Sequence, residues 1–103
     1  MERTSDLGAT WERTPDLNDG TTSELIQPTI LSWVSGLTQI LCRSKQAKIF
    51  ESWMGRDWRT WAPLTPMGLP NPNSAIDAIV LNNGSALLVY NHTTIGRYPL
   101  NVA

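Results

Sequence analysis

The side chains in this sequence whose types and spacing suggest chemistry fall in three short stretches. Arg43 and Lys45 follow Leu41-Cys42. Asn71, Asn73 and Asp77 form the second stretch, and Asn91, His92 and Arg97 the third. Histidine as a residue type exchanges protons near neutral pH, which suits general acid–base work. Arginine can hold a carboxylate through two parallel N–H bonds. A carboxyl such as that of Asp77 protonates a leaving-group oxygen only where burial favours its neutral form. Each has a plainer role beside the chemical one. A lone loop histidine is more often solvated or turn-bonding, an aspartate at a strand entry more often caps backbone N–H groups, and Arg97 reads as a surface residue. Cys42 is the single cysteine. It excludes an internal disulfide framework and a cysteine-based zinc cage, and no metal or cofactor is expected.

A fourth stretch carries turn chemistry. Thr4-Ser5-Asp6-Leu7-Gly8-Ala9-Thr10-Trp11 fits the pattern Ser/Thr-x-Asp-x-Gly-x-Thr-Trp. An aspartate there accepts bonds from nearby backbone N–H groups, and the glycine supplies a positive φ. Trp11 is expected to pack into the following sheet. Thr60-Trp61 repeats the last two positions 50 residues on, but Met54, Arg56 and Trp58 fill the Ser/Thr, Asp and Gly slots. The second copy therefore reads as decayed.

The elements that must position these residues read as strands. The chain has 103 residues and a formal net charge of −1, enough for one small domain or part of a larger one. Leu, Ile, Val and Phe make up about a quarter of it, above the roughly 20% that marks disorder. The cations are scattered, so neither nucleic acid nor a membrane surface is an expected partner. No apolar run approaches the roughly 18 residues of a membrane span, and the N-terminus does not resemble a signal peptide; localisation stays open, cytoplasmic by default. Helical spacing is absent. Thr29–Val34, Leu37–Cys42, Ala47–Trp53, Thr60–Leu64, Ala75–Leu81, Ser85–Tyr90 and Tyr98–Ala103 are the expected strands. Turns fall at Ser35-Gly36 and Asn82-Asn83-Gly84, and residues 63–74 read as a proline-rich loop. The stretch around Gly36 lines up with that around Gly84, 48 residues later. A period of about 40–50 residues is that of a propeller blade.

With these motifs the sequence resembles the BNR/Asp-box family of sialidase-like proteins, in its branch of predicted neuraminidases. Besides the Asp-box, the resemblance rests on Ile26-Gln27-Pro28-Thr29-Ile30-Leu31, Leu41-Cys42-Arg43, Leu69-Pro70-Asn71-Pro72-Asn73-Ser74 and Leu88-Val89-Tyr90-Asn91-His92. Pro99-Leu100-Asn101-Val102-Ala103 completes it. It implies an all-β fold, part of a six-bladed β-propeller, and cleavage of glycosidic bonds to acidic sugars. On that reading residues 1–24 are the end of one blade and a crossover, 25–68 one blade, and 69–103 an incomplete next blade. The strand leading into the first Asp-box is missing, and residues 11–14 form a lone fourth strand. The chain reads as a fragment whose exposed blade edges favour self-association.

Propeller topology then sorts the residues by end. The turns at Gly36 and Gly84 share one end with the Asp-box, so Thr4, Asp6, Gly8 and Trp11 are structural. Arg43, Asn71, Asn73, Asp77, Asn91, His92 and Arg97 fall at the other. The resemblance makes His92 and Asp77 the catalytic candidates, with Arg43, Asn71, Asn73, Asn91 and Arg97 binding an acidic sugar. A related lyase chemistry, a non-catalytic carbohydrate-binding propeller and an inactive truncated product are the alternatives. The tryptophans read as blade packing, except Trp58, whose turn slot exposes it.

Overall fold

The computed structural model describes residues 1–18 and 24–103, so part of the expected crossover, residues 19–23, lies outside the described residues. Among the described residues there is no helix, and the chain is all-β with antiparallel sheets. β1 (Glu2–Arg3) pairs with β2 (Glu12–Arg13) on either side of the Asp-box turn. A four-stranded sheet follows in sequence order: β3 (Leu25–Ser32), β4 (Thr38–Ser44), β5 (Lys48–Trp53) and β6 (Thr65–Pro70). The third sheet is β7 (Asp77–Val80), β8 (Ala86–Tyr90) and β9 (Asn101–Val102).

Strand alternation explains where the core sits. Successive side chains of β4 point to opposite faces, yet both faces are covered and Gln39–Cys42 are all buried. Leu41, with Leu31 and Ile49, packs toward Ile76, Leu88 and Tyr90 of the third sheet. Ile40 and Cys42, with Leu25 and Phe50, pack on the other face, where Met1, Leu17, Trp61 and Leu64 close over them. Burial pushes the Cys42 thiol up to about 11, in keeping with a packing role.

The two glycine turns are the same turn. Gly36 has φ 84° and Gly84 φ 83°, and each donates its N–H to the carbonyl three residues back, Trp33 or Leu81, at 2.9 Å. Trp33 and Leu81 in turn bond the carbonyls of Leu37 and Ser85, at 2.9 and 2.7 Å. This is the three-residue hairpin loop that closes on a left-handed glycine.

Several strand expectations are corrected. β3 begins at Leu25, and Pro28 sits within it, because Gln27 (φ 50°) and Pro28 form a bulge where Ile26 pairs Arg43 and Thr29 pairs Leu41. β6 lies inside the expected loop 63–74. It is an edge strand, where proline can lack an N–H without breaking an interior ladder; Pro66 pairs Phe50 and Pro70 pairs Lys48. A division after residue 68 therefore cuts β6. Thr60–Leu64 holds only the Trp61 bridge to Met54. The 11–14 segment is not a lone strand either, since Arg3 pairs Glu12 and a short leading strand is present.

Candidate functional site

Antiparallel pairing sends β4 and β8 toward the end of the sheets from which β7 starts, and the candidate residues sit there. Arg43 is the next-to-last residue of β4 and is half-buried. Its Nη1 donates to the Asn73 carbonyl at 2.9 Å. Asn73 itself is left-handed, at φ 59°. Asn71 is fully buried: its N–H bonds the Ala47 carbonyl at 3.0 Å, and its Oδ1 accepts the Ser74 N–H at 2.9 Å. Asn71 thus stitches the β6–β7 connection to the β4–β5 turn and holds Asn73 over Arg43. Arg43 Nε and Asn73 Oδ1 are both buried without a hydrogen-bond partner. A bound carboxylate or hydroxyl can satisfy the Arg43 donor, and a bound hydroxyl the Asn73 acceptor.

A second group lies at the end of β8. The buried Tyr90 hydroxyl bonds His92 Nδ1, and the two rings meet edge-on with centroids 5.5 Å apart. The His92 N–H donates to Asn101 Oδ1 at 3.1 Å. The imidazole is exposed, with its Nε2 side away from the tyrosine. Asn91 is buried and gives both amide protons to carbonyls, of Arg97 and Pro99, each at 2.9 Å. Arg97 is exposed, and its backbone carbonyl accepts the Asn91 amide. Asp77 is exposed; its Oδ1 accepts the Thr29 hydroxyl at 3.1 Å and the Ala78 N–H at 2.9 Å, tying β7 to β3. Among the described residues, no hydrogen bond joins Asp77 or His92 to the Arg43 group.

The Asp-box turn has the geometry its pattern demands. Asp6 Oδ1 accepts the Thr10 N–H at 2.8 Å and Oδ2 its hydroxyl at 2.5 Å, while Thr4 Oγ1 accepts the Gly8 N–H at 2.8 Å. The Thr10 bonds, with one from the Thr4 hydroxyl to Asp6 Oδ1 at 2.7 Å, hold the Asp6 carboxyl down at about 2. Trp11 does not enter a sheet: it is 61% exposed and lies against Gly8. The second copy is not decayed. Asp57 accepts the Thr60 N–H at 2.9 Å and its hydroxyl at 2.5 Å, and is likewise held at about 2, chiefly by Thr60. Its aspartate has moved one residue closer to the threonine, which is why counting in the first copy's register misses it. Trp58 takes the left-handed place of Leu7, both at φ 57°.

These turns, repeated around sheets of one kind, are what a BNR repeat looks like, and a comparison with protein families agrees. The family model described as BNR repeat-like domain matches residues 1–103. The chain belongs to this family. BNR repeat-like domains occur in sialidase-like and related propeller proteins. A search of curated proteins returned no match.

Sequence reasoning missed two features of this BNR repeat-like chain. Tyr90 and His92 stand two apart at a strand end, a spacing that puts side chains on one face, and this signal was legible. The Trp33–Gln39–Glu51 chain was not. Trp33 Nε1 donates to Gln39 Oε1 at 3.2 Å and Gln39 Nε2 to Glu51 at 2.5 Å, beside a Trp33–Trp53 stack at 6.2 Å. It borders a cavity of about 420 Å³ between the sheets, lined by Leu31, Leu41, Met67 and Leu88 among others.

Proposed function

We propose that the chain forms part of a sialidase-like β-propeller that cleaves a terminal acidic sugar, with the β3–β6 sheet as one blade and the β7–β9 sheet as part of the next. The observation that carries this reading is Arg43. Its guanidinium is held by Asn73 at the sheet end it shares with His92, and its Nε remains a free buried donor. A planar cation in that setting suits a sugar carboxylate. His92, steadied by Tyr90, is the general acid or base. The ligand is an acidic sugar, with no metal, cofactor, nucleic acid or membrane in the scheme, and open sheet edges promote self-association.

A second reading, carbohydrate binding without turnover, is favoured by Asp77 and Asn91, whose side-chain hydrogen bonds serve the fold. Kinetics separate the two. In the longest natural reading frame containing these residues, His92→Ala and Arg43→Ala should each lower glycan cleavage more than about tenfold, the low side of general acid–base effects. Asp6→Ala should lower stability and leave the rate per folded molecule unchanged. Loss of turnover in Asp6→Ala with retention in His92→Ala would reverse the assignment of ends. Glycan binding with no turnover in the parent would select the second reading.

A further inference from the structure

The end of the four-stranded sheet opposite His92 holds a cavity of about 270 Å³, lined by Ser35, Leu37, Thr38, Met54, Arg56 and Trp58 together with Gly36 and Gly55. We infer that this cavity is a second sugar-binding site, which takes a single carboxylate-bearing pyranose on Trp58 and Arg56 and does no chemistry on it.

Trp58 is the first reason. Its backbone is in the left-handed region at φ 57°, where a bulky side chain is strained. Burial does not explain the choice, because the residue is 53% exposed. The turn nevertheless holds it firmly. The Trp58 N–H donates to the Gly55 carbonyl at 3.1 Å, its carbonyl accepts the Arg3 guanidinium, and Asp57 fixes the Arg59 and Thr60 N–H groups at 3.0 and 2.9 Å. The backbone that carries the ring is therefore fixed, with the residue half open to solvent, and order before binding lowers the entropy lost on binding.

Charge is the second reason. The neighbouring arginines are engaged: Arg3 and Arg59 share Glu12, at 2.8 and 3.9 Å, and Arg13 meets Asp16 at 3.3 Å. Arg56 pairs with no acid among the described residues, although Asp57 is next in sequence, because that carboxylate is committed to Thr60 and Arg59. A guanidinium free beside an aromatic face, with the Ser35 and Thr38 hydroxyls on the cavity wall, offers a carboxylate clamp, a stacking surface and partners for ring hydroxyls. The inference does not depend on catalysis at the other end.

The test follows the tryptophan indole N–H signals of the 103-residue chain by ¹H–¹⁵N NMR during titration with D-glucuronate, D-glucose and acetate. Glucuronate should shift the Trp58 indole and the Gly55 and Arg56 amides saturably, and bind about tenfold or more tightly than glucose, as expected for one charge-assisted contact. Trp58→Gly suits the left-handed backbone, so it should fold at least as well as the parent chain and lose the shifts at Gly55 and Arg56. Arg56→Gln should remove the preference for glucuronate over glucose. Arg43→Ala and His92→Ala should leave the shifts at Trp58, Gly55 and Arg56 in place, whatever they change at the other end. Shifts that survive Trp58→Gly, equal responses to glucuronate and glucose, or an equal response to acetate would overturn the inference.

Discussion

Asn91 gives the sharpest check on how the candidate site is built, because two substitutions there are expected to rank against intuition. The side chain is buried, and its two amide protons go to the carbonyls of Arg97 and Pro99, both at 2.9 Å. These bonds fold the 92–99 segment back onto the end of β8. Asn91→Ala removes two bonds of about 0.5–1.5 kcal/mol net each, so it should destabilise by about 1–3 kcal/mol. For a chain of this size each kcal/mol lowers Tm by roughly 4–8 °C. Asn91→Asp is nearly isosteric, yet it should be worse than alanine at neutral pH, since it places a carboxylate against two carbonyl oxygens with no proton to offer. Part of the loss should return in acid, where the neutral carboxyl donates one bond. Thermal melts by circular dichroism across pH measure all three proteins. If Asn91→Asp were as stable as wild type at neutral pH, the amide protons would not be what holds these two carbonyls. Asn91 would then regain the sugar-binding role that its type and position suggest.

The two Asp-box carboxylates should show their worth through pH. Both are lowered from 3.8 to about 2 in the folded chain. A depressed folded value means stabilisation that is present above the unfolded value and lost as pH falls through the folded one. Asp6→Ala and Asp57→Ala should therefore lower Tm at neutral pH, and each gap to wild type should close between 3.8 and about 2. Asp57→Ala without any effect would restore the view that the second turn is decayed. At Asp77, asparagine keeps the Oδ1 acceptor for Thr29 and Ala78, so Asp77→Asn should hold stability within roughly 0.5 kcal/mol of wild type, the usual range for surface changes. On the proposed glycan-cleaving reading, the same variant assayed for turnover in the longest natural reading frame separates roles. Unchanged turnover means a strand-entry bond, and a more than tenfold loss means an acid.

The strand pairs that were legible from sequence are those where alternation and turn chemistry agree. β4, β5 and β8 carry β-branched or aromatic runs, and Gly36 and Gly84 mark the hairpin loops that the structure shows to be alike. What stayed hidden had a physical reason each time. β6 contains two prolines, and only its place at the sheet edge makes them tolerable. β3 runs through Pro28 because a bulge absorbs it. Periodicity carries no information about either circumstance. The candidate site shows the same division. Residue type and loop position gathered Arg43, Asn71, Asn73, Asp77, Asn91 and His92, but they could not tell which atoms the backbone had already claimed.

That distinction decides what the site can do. Asn71 and Asn91 are the most buried of the candidates, and their hydrogen bonds are made to the chain itself. Buried amides are satisfied locally because leaving them unpaired costs about 1–3 kcal/mol each, so deep burial near a site is a mark of scaffolding. Arg43 differs: one guanidinium nitrogen holds Asn73 and another stays unpaired. His92 differs too, since Tyr90 occupies one ring nitrogen while the ring remains exposed. In both, one polar atom is fixed by the fold and another is left for a partner, which is the arrangement a positioned functional group needs. On the proposed reading, the chemistry of this end rests on Arg43 and His92, and Asn71 and Asn91 are the frame that aims them.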